Sequence, residues 1–212
     1  MMSTHDHEHG HDHAPIMDPD RPVSEYEVLE QAVRELLIEK GVITAQEIHS
    51  QIDATDSRSP ALGARIVAKA WADPGFKAQL LTDARAALKG LGIETGNLAE
   101  LTVVENTPDL HHVVVCTLCS CYPRMILGIP PAWYKSTAYR SRVVMEPRAV
   151  LHEFGVELSD QTEVRVLDST ADMRYLVIPQ RPSGTDQASE AELAELVTRD
   201  AMIGTALPNN AS

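Results

Sequence analysis

Three cysteines fall within one short stretch, Cys116-Thr117-Leu118-Cys119-Ser120-Cys121, and the chain has no others. Thiolates are soft ligands that select zinc, iron–sulfur clusters or borderline transition metals. A disulfide scaffold requires cysteines spread along the chain, and nothing distant is available to staple. A structural zinc site wants a tetrahedron of side-chain ligands, and an iron–sulfur cluster wants one more thiolate than this stretch contains. His111 or His112 could supply the missing zinc ligand, from a segment whose residues point alternately. The tight Cys119-Ser120-Cys121 spacing offers another solution. A chain folded around an ion places the backbone nitrogens of Ser120 and Cys121 between two sulfurs. Once deprotonated, they complete a planar set with those sulfurs, and Cys116 supplies an axial thiolate. Such a claw leaves one octahedral position open, as Lewis-acid hydration or hydrolysis requires. Spacing permits this arrangement without proving it.

The elements that must position these residues follow from the patterning. Residues 24–90 predict helices. Ser24 with Glu27 forms a capping box, and Leu29, Ala32, Val33, Leu36 and Leu37 keep the helical rhythm until Gly41. Thr44 with Glu47 repeats the capping signal. Pro60 opens a third helix carrying Ala64, Val67, Ala68 and Trp71. Asp73-Pro74 breaks it, and one more helix is predicted from there to about Leu88. The first helix packs in a core or reaches out as an arm onto a partner. From about residue 98 the rhythm becomes that of strands: Leu101–Glu105, His112–Val115, Val164–Leu167 and Tyr175–Ile178. The second strand runs directly into Cys116. Short helices are predicted over Trp133–Arg142, from Pro147 to Gly155, and after the Ser189/Glu192 cap. A polar turn at 168–172 joins the last two strands. The expected fold class is α+β, a helical N-terminal portion followed by a layered α/β C-terminal domain carrying the metal claw loop. The expected divisions are a disordered His-rich tail at 1–22, a helical region at 23–95, a metal-binding catalytic domain at 96–207 and a frayed tail at 208–212.

The tail places His5, His7, His9, His11 and His13 among acidic residues and prolines, a composition that makes no packed core. It reads either as a solvated tail or as a transient binder of divalent metal. The formal net charge of −13 over 212 residues argues against nucleic acid as a partner. No apolar run approaches the length of a membrane span, and no secretory signal is evident, so the expected location is the cytoplasm.

The stretch Val115 to Pro123 closely resembles the metal claw of cobalt-type nitrile hydratase α subunits. The resemblance continues through Leu127-Gly128, Pro130-Pro131, Trp133-Tyr134-Lys135, Tyr139-Arg140, Glu153-Phe154-Gly155, Arg174-Tyr175 and Pro179 to Pro182, and ends in Leu196 to Asp200 and Ile203-Gly204. It implies that Cys116, Cys119 and Cys121 ligate through sulfur, and Ser120 and Cys121 through backbone nitrogen. It implies a Cys119 sulfinate and a Cys121 sulfenate. Thr117, where the family's iron branch usually carries Ser, favours low-spin Co(III) over iron. The implied reaction hydrates a nitrile to its amide, with Cys121 and Ser120 at the catalytic centre. The nucleophile stays open between a water and the Cys121 sulfenate oxygen. The implied partners are a β subunit, or its two smaller equivalents, whose arginines meet the sulfur oxygens, and a cobalt activator protein.

One residue departs from this pattern. Ordinary two-subunit nitrile hydratases typically carry Trp where this chain has Arg124. Tyr122-Pro123-Arg124, together with the His-rich tail, resembles the γ subunit of thiocyanate hydrolase, which converts an anion to carbonyl sulfide and ammonia. Toyocamycin nitrile hydratase is another relative outside the ordinary branch. Arg124 is therefore expected either to meet substrate or to form a salt bridge to a partner. Trp133 is expected to pack or to line the pocket, and Tyr134 and Tyr139 to donate hydrogen bonds nearby. Arg174 and Arg181 are expected to serve the fold or an interface, and His152 to lie at the surface. A non-catalytic alternative is a metal-storage or metallochaperone-like subunit.

Overall fold

Helix caps written into the sequence set the first half of the molecule. The computed structural model describes residues 24–56, 58–93, 95 and 99–210. The His-rich tail expected at 1–22 lies outside these residues, as do the last two positions of the tail expected to fray from 208. Helix α1 (Glu25–Glu39) starts at the Ser24 capping box, in which the Glu27 carboxylate accepts the Ser24 N–H at 2.7 Å. It ends before Gly41, whose φ of 66° only glycine adopts without strain. Helix α2 (Ala45–Asp56) follows, and the Thr44 hydroxyl accepts the Glu47 N–H at 3.1 Å. No residue of α1 is buried. Tyr26, Leu29, Val33, Leu37, Ile48 and Ile52 line an open apolar groove of about 630 Å³ between the two helices.

Helix α3 (Ala61–Ala72) turns Ala64, Ile66, Val67, Ala68 and Trp71 into the core. The predicted single helix beyond it is two, α4 (Pro74–Thr82) and α5 (Ala84–Gly90). The break has a physical cause: Asp83 ends one helix and caps the next, its carboxylate accepting the Ala86 N–H at 2.9 Å. The second half alternates strands and short helices. These are β1 (Glu100–Glu105), β2 (Leu110–Val115), α6 (Arg124–Leu127), α7 (Ala132–Lys135), α8 (Thr137–Met145), α9 (Pro147–Glu153), β3 (Glu163–Asp168), β4 (Met173–Ile178) and α10 (Glu190–Glu195). A 3-10 turn at Ala201–Ile203 closes the series. The one helix predicted over Trp133–Arg142 is divided at Ser136, whose hydroxyl caps α8 by accepting the Tyr139 N–H at 3.0 Å. Helix α6, a single turn after the cysteines, was too short for its periodicity to be read.

The strands form two parallel pairs, β1 with β4 and β2 with β3. The strands flanking the 168–172 turn therefore do not pair with each other. Each reaches back to an earlier strand across a long crossover, as parallel pairing requires. Val113, Val114, Val115, Leu176, Val177 and Ile178 are fully buried, so this double strand layer forms the centre of the core. Gly204 (φ 80°) lies against β2 so closely that a Cβ would collide with the His112 carbonyl. The architecture is α+β as expected, helices first and sheet after. Among the described residues no helix is long and apolar enough to cross a membrane.

Candidate metal centre

Strand β2 delivers the chain from a fully buried valine run into Cys116, which is 1% exposed. The next residues turn out into solvent, with Leu118 87% exposed and Cys119 exposed, before Cys121 returns inside. The turn folds the three sulfurs together. Cys116 Sγ lies 3.2 Å from Cys119 Sγ, which lies 3.1 Å from Cys121 Sγ, and all three fall within 4.8 Å of one another. The Cys119 N–H points at Cys116 Sγ at 3.2 Å. The backbone N–H groups of Ser120 and Cys121 lie near enough to the Cys119 sulfur to favour its thiolate.

The thiols are electrostatically unequal. Hydrogen bonds from Cys121, then from Cys116 and the neighbouring amides, hold the Cys119 thiol below its ordinary value against the opposing effect of burial. Burial pushes the Cys121 thiol up to about 12, with its hydrogen bond to Cys119 next in importance. A bound cation would deprotonate all three, because ligation requires the thiolate. Three sulfurs converge within 4.8 Å of one another, so the donor set fits a soft or borderline transition metal. Among the described residues no histidine or carboxylate joins this group. His111 and His112 turn elsewhere: His111 Nε2 donates to the Gly204 carbonyl at 2.7 Å, and His112 Nδ1 donates to the Asn106 amide oxygen at 3.1 Å. They anchor the root of β2, and the side-chain tetrahedron of a structural zinc site is not completed by them.

The loop is held from two sides. Below it, Tyr134 donates its hydroxyl to the Cys121 carbonyl at 2.8 Å, and Tyr139 donates to the Val114 carbonyl at 2.7 Å. Trp133, 4% exposed, stacks with both and with Phe154 at centroid distances of 4.7–6.1 Å. Beside the loop, Asp168 at the end of β3 accepts from the Thr117 N–H at 2.9 Å and from the Thr117 hydroxyl at 2.6 Å. Arg140 donates to the Thr117 carbonyl at 3.3 Å. The sequence carried no local sign of Asp168, which lies beyond four intervening helices and is brought here by the parallel register that aligns it with Val115.

Arg124 is exposed and lines a cavity of about 430 Å³ with Arg58, Arg174, Glu100, Tyr122 and Met125. Arg174, expected to serve the fold or an interface, also lies close enough to Cys121 for its charge to favour the thiolate. Trp133 does not line this cavity. Arg181 serves the fold, donating to the Trp71 carbonyl at 2.9 Å. His152 lies at the surface beside Glu157.

Comparison with known proteins bears on these features. Residues 24–206 match the family model "Nitrile hydratase, alpha chain". The cobalt-containing nitrile hydratase subunit alpha of Pseudonocardia thermophila is 51% identical over 176 residues, covering 82% of this chain and 86% of that protein. Thiocyanate hydrolase subunit gamma of Thiobacillus thioparus is 46% identical over 206 residues, covering 92% of this chain and 84% of the relative. Among solved structures, a double mutant of the iron-type nitrile hydratase from Comamonas testosteroni Ni1 superimposes with a TM-score of 0.80 at 44% identity, covering 88% and 93% of the two chains. The first two relatives are named as subunits, one of a cobalt enzyme, and the third is an iron-type enzyme.

Proposed function

Because the chain belongs to the nitrile hydratase alpha-chain family, we propose that it is the metal-bearing catalytic subunit of a nitrile hydratase and converts a nitrile to its amide. The observation that carries this reading is the convergence of three sulfurs within 4.8 Å of one another. In this reading Cys116, Cys119 and Cys121 bind low-spin Co(III) through sulfur, and Ser120 and Cys121 through backbone nitrogen. The cobalt-containing relative favours cobalt, and the iron-type neighbour makes iron the second candidate. When bound, the ion would supply a Lewis acid that makes a nitrile carbon electrophilic.

The chain's own residues do the rest. Cys121, carried as a sulfenate, presents an oxygen that either attacks the nitrile carbon or takes a proton from an attacking water. Ser120, half-buried beside it, orients the reacting group. Cys119, carried as a sulfinate, faces outward from the loop. Sulfur oxygens bearing negative charge need cationic donors. Arg174 supplies one nearby charge, and a β subunit, or two smaller equivalents, supplies the others. Arg124 meets the substrate from the cavity, and Trp133 forms the back wall of the site through Tyr134. A cobalt activator protein loads the metal. The division into a helical region at 23–95 and a metal-binding catalytic domain at 96–207 belongs to the same proposal. So does a cytoplasmic location, which suits three unpaired thiols.

A second reading, thiocyanate hydrolysis, is favoured by one observation: Arg124, Arg174 and Arg58 line one cavity, a cationic setting that suits an anion. The test is to assay the complex, reconstituted with its partner subunits, on a nitrile and on thiocyanate. Amide formation is expected. Turnover of thiocyanate with none of nitriles would transfer the assignment to the second reading. Metal analysis should find stoichiometric cobalt, and intact mass should show added oxygens on Cys119 and Cys121. Zinc held by three unmodified thiols would overturn both readings. Arg124→Trp should shift the substrate range toward apolar nitriles, and an unchanged profile would return Arg124 to a structural role.

A further inference from the structure

We propose that Asp168 is a positioning residue of the metal claw, its carboxylate fixing Thr117 and thereby setting how far Cys119 stands from Cys116. The inference rests on the reading of the cysteines as a metal centre. Its basis is the use made of Asp168: both carboxylate oxygens are spent on one residue, at 2.9 Å from the Thr117 nitrogen and 2.6 Å from its hydroxyl. Two bonds to one residue fix orientation as well as distance. From the other side Arg140 donates to the Thr117 carbonyl at 3.3 Å. The N–H, carbonyl and hydroxyl of Thr117 are thus all engaged, and none of them by another residue of the claw.

Thr117 is the last point fixed from outside the loop before Cys119. Leu118, which follows, is 87% exposed. Cys119 touches Cys116 and Cys121, one on each side, and along the chain Thr117 is the bonded point that fixes the path between Cys116 and Cys119. At the far end the corresponding tether is Tyr134 on the Cys121 carbonyl. The two tethers bracket the cysteines without occupying any sulfur. A neutral side chain would not replace Asp168 in full. Asn can accept from the Thr117 N–H, but it meets the hydroxyl only with that bond reversed, and it loses the charge that strengthens both bonds. An anion beside several thiolates is electrostatically unfavourable unless it gains such bonds. Its place here is explained by the two donors of Thr117.

The test uses the full chain with its partner subunits and cobalt as the probe. Wild type is compared with Asp168→Asn, Thr117→Val, Thr117→Ser and the Asp168→Asn/Thr117→Val pair. Readouts are cobalt affinity, the sulfur-to-metal charge-transfer absorption, and the melting temperature of the metal-free chain. Asp168→Asn should weaken cobalt binding on the order of tenfold, the usual scale for groups that orient ligands, and should shift the absorption while leaving metal-free melting unchanged. Thr117→Ser, which keeps the hydroxyl, should bind as wild type does. The double variant should be no weaker than Asp168→Asn alone, because both remove one clamp. Should Asp168→Asn lower the metal-free melting temperature, Thr117→Val carries the test, since it removes only the hydroxyl bond. Wild-type affinity and absorption in both Asp168→Asn and Thr117→Val would overturn the inference and leave the metal centre standing. A wild-type chain that takes up no cobalt would overturn the metal reading and this inference with it.

Discussion

The claw and the aromatic bed beneath it are neighbours held together by different forces. In the bed, Trp133, Tyr134, Tyr139 and Phe154 are buried with ring centroids 4.7–6.1 Å apart, and both phenol hydroxyls end on backbone carbonyls. Burial of large apolar side chains with satisfied polar tips is what stabilises a fold. In the claw, Leu118 and Cys119 face solvent, and the loop is held by a few hydrogen bonds and by sulfur–sulfur contacts. The reactive segment adds little to folding free energy, so its geometry has to be imposed by the bed below and by Asp168 and Arg140 at the side. Chemistry and stability are thereby assigned to different residues, and mutations should separate them.

The largest effect should come from the bed. Trp133→Ala should cost about 3–5 kcal/mol of stability, the usual penalty for removing a large buried aromatic, read as a lowered denaturant midpoint. A loss under about 1 kcal/mol would mean the bed is not the support described. The claw should behave in the opposite way. Cys119→Ser should reduce bound cobalt by at least about a hundredfold, as expected when a ligand itself is lost, and leave the metal-free melting temperature as in wild type. A clear drop in that temperature would show that the loop is part of the folding core.

Acid should reach the root of β2. Burial is the main cause holding the His111 and His112 imidazoles below their ordinary value, in His111 against the bond to the Gly204 carbonyl. The unfolded chain therefore binds more protons between about pH 6.5 and the depressed folded values. Stability from these residues is present in full above about pH 6.5 and is lost as the pH falls through the folded values. The slope is at most about 1.4 kcal/mol per pH unit for each histidine. Denaturation curves between pH 7 and pH 5 should show the decline, and His111→Gln should flatten it. An equal slope in that variant would exclude His111 as a source. The smallest effect belongs to Tyr139→Phe, which keeps the ring and loses one bond to the Val114 carbonyl. About 1 kcal/mol is expected in chemical denaturation, with cobalt affinity unchanged because that bond is to the strand and not to the claw.

Much of the local structure was legible because its causes are local. Ser24, Thr44 and Ser189 announce helix starts with caps that the structure contains. The cysteine spacing announced a convergence of sulfurs, now measured. Asp83 and Ser136 were missed as breaks because a capping residue inside an otherwise continuous pattern gives no change of period. Asp168 and Arg174 were missed for a different reason: strand pairing brings them to the loop, and one chain's sequence does not state which strands will pair. Arg174 is expected from sequence to serve the fold or an interface because nothing nearby in sequence connects it with Cys121, whereas the structure places its charge within reach of that sulfur.

The parallel alignment of Val115 with Asp168 also sets an order of events in time. Thr117 is synthesised 51 residues ahead of Asp168, the residue that clamps it. Closing the intervening chain costs entropy that grows slowly with its length, but long-range parallel pairing is among the slower steps of folding. A newborn chain therefore passes through an interval in which its three thiols are present without the clamp, and a soft ion arriving then meets ligands whose spacing is not yet set. This predicts that a chain stalled before Glu163 binds cobalt no better than a free peptide with the sequence of residues 115–123, as titration of ribosome-bound chains would measure. On this view the distance along the chain between Thr117 and Asp168 acts as a delay, deferring selective metal uptake until most of the polypeptide exists.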